Sequence, residues 1–232
     1  MGFTIGGIRE MRSSSRRRAR STEISAVAEY TGLWGWDVVP GARAVRAGSG
    51  RTDCSCGAAD CPSPGAHPLA FGAELTAGAG WEKAAAAWAE TPGAAILLPV
   101  GRSFDVLDVP EAAGRNALAR LERMGLPLGP VAVTPTGRAL FLVAPGAAVR
   151  LPDLLYRMGW DDASLDLHSL GPGDHLTAPP SDLGGHGPMR WLRPPALDTA
   201  ARLPQARLML GTLAYACNRS AVRTGRSAAP RP

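Results

Sequence analysis

The stretch CSCGAADCPSPGAHP, from Cys54 to Pro68, holds three of the chain's four cysteines and one of its four histidines. It offers almost no apolar side chain. Ordering a backbone costs conformational entropy that core burial normally offsets, so this stretch is ordered only if something other than a core orders it. Cys54 and Cys56 are separated by one residue, Cys61 follows after four more, and His67 after a further five. Three sulfurs and one nitrogen make a tetrahedral Zn²⁺ shell of the structural kind, with no position open to substrate. Gly57, Pro62, Pro64 and Gly65 supply turns to wrap an ion, whose binding then orders the loop. The other reading of the same residues is a loop of free thiols beside an incidental histidine. Cys217, set in an apolar run, reads as a buried thiol.

Redox compartment bears on that choice. The opening MGFTIGGIREMR has its short apolar patch ahead of its charges, the reverse of a secretory signal. No run is long and apolar enough to span a bilayer. A cytoplasmic protein with no membrane partner is therefore expected, and in that compartment clustered cysteines read as metal ligands before disulfides. The formal charge is +5, and Lys83 is the single lysine among 25 basic residues. Arginine's planar fork suits phosphate. Much of the excess lies near the ends, in RSSSRRRAR (Arg12 to Arg20) and NRSAVRTGRSAAPRP. These runs read either as solvated ends or as phosphate contacts.

With 232 residues, 45% of them hydrophobic, the chain can build one substantial core. Residues 1–22 read as a basic flexible arm, 23–200 as one domain with the cysteine loop at 50–68, 201–220 as a C-terminal helix and 221–232 as a disordered tail. STEISAVAEYTGLWGW predicts a helix, with Ser21, Thr22 or Ser25 as N-cap and Ile24, Val27, Ala28 and Leu33 on one face. GWEKAAAAWAETPG predicts another, with Trp81, Ala84, Ala85 and Trp88 on one side and a stop at Pro92 and Gly93. AAILLPVG and SFDVLDVPE read as a buried hairpin or as consecutive core strands. AAGRNALARLERMG is an amphipathic helix, VAVTPTGRALFLVAP a strand pair turning at Thr136-Gly137, LPDLLYRMGW a short helix, and SLDLHSLGPGDHLTAPPS a strand, turn, strand unit. The mixture argues for an α+β fold with a mainly antiparallel sheet flanked by helices.

Several of these segments, in this order, resemble the bifunctional DNA primase/polymerase (prim-pol) domain of the archaeo-eukaryotic primase superfamily. They are the helix AVAEYTGLWGWDVVPG, the loop CSCGAADCPSPGAHP, the Trp-bearing helix with its strand WEKAAAAWAETPGAAILLPVG, the strand FDVLDV, and LDLHSLGPGDHLTAPPSDLGG. The resemblance runs from about residue 24 to 195. It implies a prim-pol-like fold with a zinc loop, Cys54, Cys56, Cys61 and His67 being the ligands. It also implies template-directed nucleotidyl transfer, in which carboxylates hold two Mg²⁺ or Mn²⁺ ions. Asp108 and Asp166 match two of those acids. Arg138 and His168 are the residues placed to meet a nucleotide. The implied partner is DNA, single-stranded or as primer-template.

The chain departs from that pattern where the chemistry is concentrated. Family members end the apolar strand in Asp-x-Asp, two acids on one face because strand side chains alternate. Here the strand reads LDVPE, and Pro110, which has no ligand atom, stands at the second acid. Asp105 is an odd number of residues from Asp108 and faces the other way, and Glu111 lies next to Pro110. In the following Gly-rich motif, TPTGRALF, Ala139 stands where the family's phosphate-binding histidine would lie. The expectation is a pseudoenzyme: the fold kept, nucleotidyl transfer weak or lost, nucleic-acid binding retained. An active primase/polymerase and a zinc-stabilised regulatory protein without a nucleic-acid partner are the competing readings. No Gly-x-x-x-x-Gly-Lys-Ser/Thr motif occurs, so unwinding is expected to come from a separate helicase.

Overall fold

A computed structural model describes residues 21–46, 52–160 and 164–227. Residues 1–20 of the expected arm (1–22) and 228–232 of the expected tail (221–232) lie outside those residues, as do 47–51 and 161–163, while 21–22 and 221–227 are helical. The elements are helix α1 (21–32), strands β1 (Val39–Gly41), β2 (Ala44–Arg46) and β3 (Thr52–Cys54), helix α2 (Trp81–Glu90), β4 (Ala95–Pro99), β5 (Asp105–Pro110), α3 (Glu111–Arg123), β6 (Val131–Val133), β7 (Arg138–Val143) and α4 (Ala147–Arg157). After these come β8 (His168–Leu170), β9 (His175–Thr177), β10 (Arg190–Arg193), α5 (Leu197–Ala201), a 3₁₀ turn (Ala206–Leu208) and α6 (Leu210–Ser227). The fold is α+β, with antiparallel sheets and flanking helices. Among the described residues no helix is long and apolar enough to cross a membrane.

β5 shares a sheet with four others in the order β10-β6-β7-β5-β8, while β4 lies in a second sheet ordered β1-β4-β9. The two apolar runs are thus consecutive core strands rather than a hairpin. β4 pairs with β9 and β5 with β8, so one long antiparallel pair is bent in the middle and shared between two sheets. The ladder continues round the bend, where the Val100 amide donates to the Asp174 carbonyl at 2.9 Å. Gly101 makes the bend possible. Its φ is +94, and a Cβ there would stand 2.5 Å from Pro172 Cα, so only glycine fits.

Alternation along β5 sends its side chains into two cores. Val106 joins Leu140 and Leu142 of β7, Ile96 and Leu98 of β4, Trp36, Trp88 and Phe104 in a core under α1 and α2. Leu107 and Val109 point the other way and meet α3, α4 and α6 through Leu121, Leu151 and Leu213. α1 is anchored by the Tyr30 hydroxyl, which donates to the Pro179 carbonyl at 2.6 Å. Ser181 of the same APPS segment accepts the Ile96 amide at 2.7 Å, which closes β9 onto β4.

Several expectations shift. Leu33 is exposed, lying past the end of α1, and Trp81 at the start of α2 is half-exposed while Ala84 and Trp88 carry that helix into the core. Ser21, Thr22 and Ser25 all lie inside α1, so none of the three caps it. α4 begins at Ala147 and takes Pro152 within it. The single helix expected at 201–220 is interrupted at Pro204, which has no amide to continue a helical ladder. The result is α5, a 3₁₀ turn and α6 running on to Ser227.

α3 crosses β7 at very short range. Its interior glycine, Gly114, sits where a Cβ would lie 2.5 Å from Ala139 Cβ, with Val109 and Phe141 at 3.2 and 3.3 Å. A glycine inside an exposed helix costs about 1 kcal/mol relative to alanine, so Gly114→Ala would ordinarily stabilise. Here overpacking against a rigid neighbour dominates, and we expect a loss of about 1–3 kcal/mol, read from the midpoint of urea unfolding. An unchanged or raised midpoint would show that α3 does not sit this close to β7.

Candidate functional site

Asp108, Arg138, Asp166 and His168, distant in sequence, come together at one end of the five-stranded sheet. Asp108 is on β5 opposite His168 of β8. Arg138 opens β7 opposite Pro110. Asp166 lies two residues before β8. The Arg138 guanidinium donates through Nε to Asp108 Oδ1 at 2.8 Å and through Nη1 to Asp166 Oδ1 and Oδ2 at 2.8 and 2.9 Å. His168 Nε2 lies 3.2 Å from Asp166 Oδ1. The two ends differ in shielding: side-chain exposure is 21% for Asp108 and 22% for Arg138 but 54% for Asp166. Burial lifts the Asp108 carboxyl above its ordinary range despite the hydrogen bond from Arg138. Burial works against the Arg138 charge, but bonding to both carboxylates outweighs it and raises the guanidinium further.

The neighbouring acids do not add to this cluster. Asp105 is fully buried on the opposite face, where its Oδ2 accepts the Ala148 amide at the start of α4 at 2.8 Å. Glu111 opens α3 and pairs with Arg115 one turn on, at 2.7 Å. Ala139 is fully buried and belongs to the α3 side of β7. A histidine at position 139 would therefore point into α3, and the residue that alternation turns toward Asp108 is Arg138. Thr134 was not singled out from the sequence. Its hydroxyl accepts the Arg138 amide at 2.9 Å and bonds Thr136 at 2.9 Å, which fixes the turn that presents the guanidinium. The TPTG turn is the sequence signal that could have flagged it.

The cysteine loop forms a second constellation. Cys54 ends β3, which pairs with β2 in a ribbon that the sequence did not suggest. His67 is pinned from the other side, its carbonyl accepting the Ala42 amide at 2.8 Å while Pro68 bridges to Gly41. Gly65, at φ +72, passes so close to the Ala44 backbone that no side chain fits. The ligand atoms of Cys54, Cys56, Cys61 and His67 all lie within 4.8 Å of one another. Tetrahedral zinc–thiolate bonds place sulfurs about 3.8 Å apart, so the group fits a single ion. Support around it also fits. His67 Nδ1 is 2.8 Å from the Pro68 carbonyl, which only accepts, so Nδ1 carries the proton and Nε2 offers its lone pair 3.3 Å from Cys54 Sγ. Partial burial pushes the Cys54 thiol up, but amide donation around it, including Gly65 at 3.4 Å, outweighs this and holds it at about 6. Cys217 is buried and free, and burial pushes its thiol up to about 11.

No curated protein matches the chain. A solved structure that it resembles is the crystal structure of the catalytic domain of primase Repb′ in complex with initiator DNA. Identity is 13%, the TM-score is 0.36, and the match covers 90% of this chain and 100% of that one. That likeness is too remote to bear on chemistry. Residues 27–206 match the family described as bifunctional DNA primase/polymerase, N-terminal. The span takes in the cysteine loop, both sheets and all four members of the Asp108 cluster, and the chain belongs to that family.

Proposed function

We propose that this is a prim-pol domain in which Arg138 has taken the place of the catalytic cations, so that nucleotidyl transfer is lost while DNA binding is kept. The observation that carries this reading is the guanidinium held between Asp108 and Asp166 by three hydrogen bonds of 2.8 to 2.9 Å. With Pro110 in the place of a third acid, the cluster's two carboxylates and one guanidinium sum to a single negative charge. Two divalent ions about 4 Å apart repel by roughly 17 kcal/mol at an effective dielectric of about 20. One net negative charge does not offset that. Admitting even one ion means breaking charge-assisted bonds worth about 1.5–3 kcal/mol each.

The catalytic family places Mg²⁺ or Mn²⁺ where Asp108 and Asp166 stand, so these two residues would hold such an ion if Arg138 withdrew. The ion's chemistry would be to activate the primer 3′-oxygen and neutralise the triphosphate. In the arrangement present, Arg138 is committed to the two acids, and the exposed His168 is left to meet a phosphate that binds without reacting. Single-stranded or primer-template DNA is the partner that suits family membership and the arginine-rich surface, with a separate helicase supplying unwinding.

The Cys54, Cys56, Cys61 and His67 group is assigned to structural Zn²⁺. Its four donors fill a tetrahedral shell, so no ligand position is left for catalysis. The ion substitutes for the apolar contacts that residues 52–68 lack.

Two outcomes follow. Purified protein should carry close to one zinc per chain, and Cys61→Ser should lower the unfolding temperature by about 10 °C and open the loop to proteolysis. Metal-free protein with an unaltered transition would remove the structural role. In primer extension with Mg²⁺ or Mn²⁺, incorporation by the wild type should not exceed that of Asp108→Ala. Template-directed extension that Asp108→Ala abolishes would show an active polymerase and overturn the pseudoenzyme reading.

A further inference from the structure

A second feature lies on the other side of the five-stranded sheet from Asp108. Two adjoining cavities of about 280 and 540 Å³ open along α3 and α6 and share Arg120, Thr212 and Tyr215 in their walls. Arg120 and Arg123 come from α3, Arg219 from α6 and Arg207 from the 3₁₀ turn, and among the described residues no carboxylate lines either cavity. By contrast, Arg115, Arg157 and Arg193, which do not line the cavities, each pair with a carboxylate, Glu111, Asp153 and Glu122. Among the described residues none pairs with the four in the groove. At their centre is Tyr215, 42% exposed, with the guanidinium carbons of Arg120 and Arg219 at 5.7 and 5.9 Å from its ring centroid. Arg219 also donates to the Tyr215 hydroxyl at 3.3 Å.

Like charges gathered without counter-charge repel one another, and an anion that spans them relieves that repulsion. An exposed aromatic ring among unpaired guanidinium groups is the combination that tracks a phosphate backbone while meeting unstacked bases. A duplex offers phosphates alone, because its bases are already stacked. We infer that this groove binds single-stranded nucleic acid, with Arg120, Arg123, Arg207 and Arg219 on successive phosphates and Tyr215 beside the bases. The inference rests on the DNA-binding reading above but moves the main contact away from the Asp108 cluster. The strand would run along α3 and α6, one sheet thickness from the site where family members react.

The test measures binding of a fluorescently labelled oligo(dT) of about 20 nucleotides to the full chain across a salt series, by anisotropy. Arg120→Gln/Arg219→Gln is compared with wild type and with Arg150→Gln/Arg157→Gln, an equal charge change on exposed α4. The groove variant should bind at least tenfold more weakly at low salt, with a slope of log affinity against log salt shallower by about 1.4 for two lost phosphate contacts. The α4 variant should stay close to wild type. Equal weakening in both variants, or no weakening in the groove variant, overturns the groove assignment and leaves DNA binding standing. A duplex bound as tightly as the single strand overturns the single-strand assignment. A wild type that binds no DNA overturns both this inference and the DNA-binding reading.

Discussion

The alternation of side chains along β5 governs both the packing and the chemistry of this domain. Leu107 and Val109 are committed to the α3, α4 and α6 core and Val106 to the core under α1 and α2, so Asp108 must face the second side, where apolar packing ends. β7 is locked to β5 in antiparallel register, with Pro110 opposite Arg138. The same parity that buries Ala139 under α3 turns Arg138 toward Asp108. Asp166 and His168 arrive on the far edge because β8 pairs with β5. A register slip of one residue would bury these charges and expose the core, so the cluster is held by the same hydrophobic pattern that holds the sheet.

That geometry makes the fate of the site a question of charge. A prim-pol centre needs enough anionic groups to hold two divalent cations against their repulsion. The remaining two carboxylates are already bridged by one guanidinium, in a setting where half-burial weakens competition from water. The cysteine loop is independent of this: it is tied to β1, β2 and β3 by backbone hydrogen bonds and completed by four convergent donors. On the proposed reading, the two cores and the Cys/His group maintain the fold while the reactive centre drifts, since architecture does not depend on the site grafted onto it.

The sequence carried the parts of this picture that rest on local pattern. Glycine and proline punctuation, the Ala-rich helix around Trp88, the amphipathic α3 and the Cys/His spacing each have a short-range cause, and each stands as expected in outline. What depends on long-range pairing was hidden. Nothing local shows that Ala94–Gly101 and Ser103–Glu111 part into different sheets, because the bend is set by Gly101 resting on Pro172. The β2-β3 ribbon was missed since Thr52–Cys54 is too short and polar to signal a strand. The sequence reading named Asp108 and Asp166 as acids and Arg138 and His168 as residues placed to meet a nucleotide. That Arg138 bridges the two acids follows only from register. The groove was hidden too: Arg120 and Tyr215 are far apart in sequence and meet only because α3 and α6 pack side by side.

The most direct test of Arg138 as the resident cation is Mn²⁺ binding to zinc-loaded protein, followed by electron paramagnetic resonance. If Arg138 fills the cation position, the wild type binds no Mn²⁺ at the Asp108 cluster up to about millimolar concentration, and Arg138→Gln gains a site at least tenfold tighter that Asp108→Asn removes again. Mn²⁺ held by the wild type through Asp108, with no gain in Arg138→Gln, would contradict that role and return the site to the catalytic class.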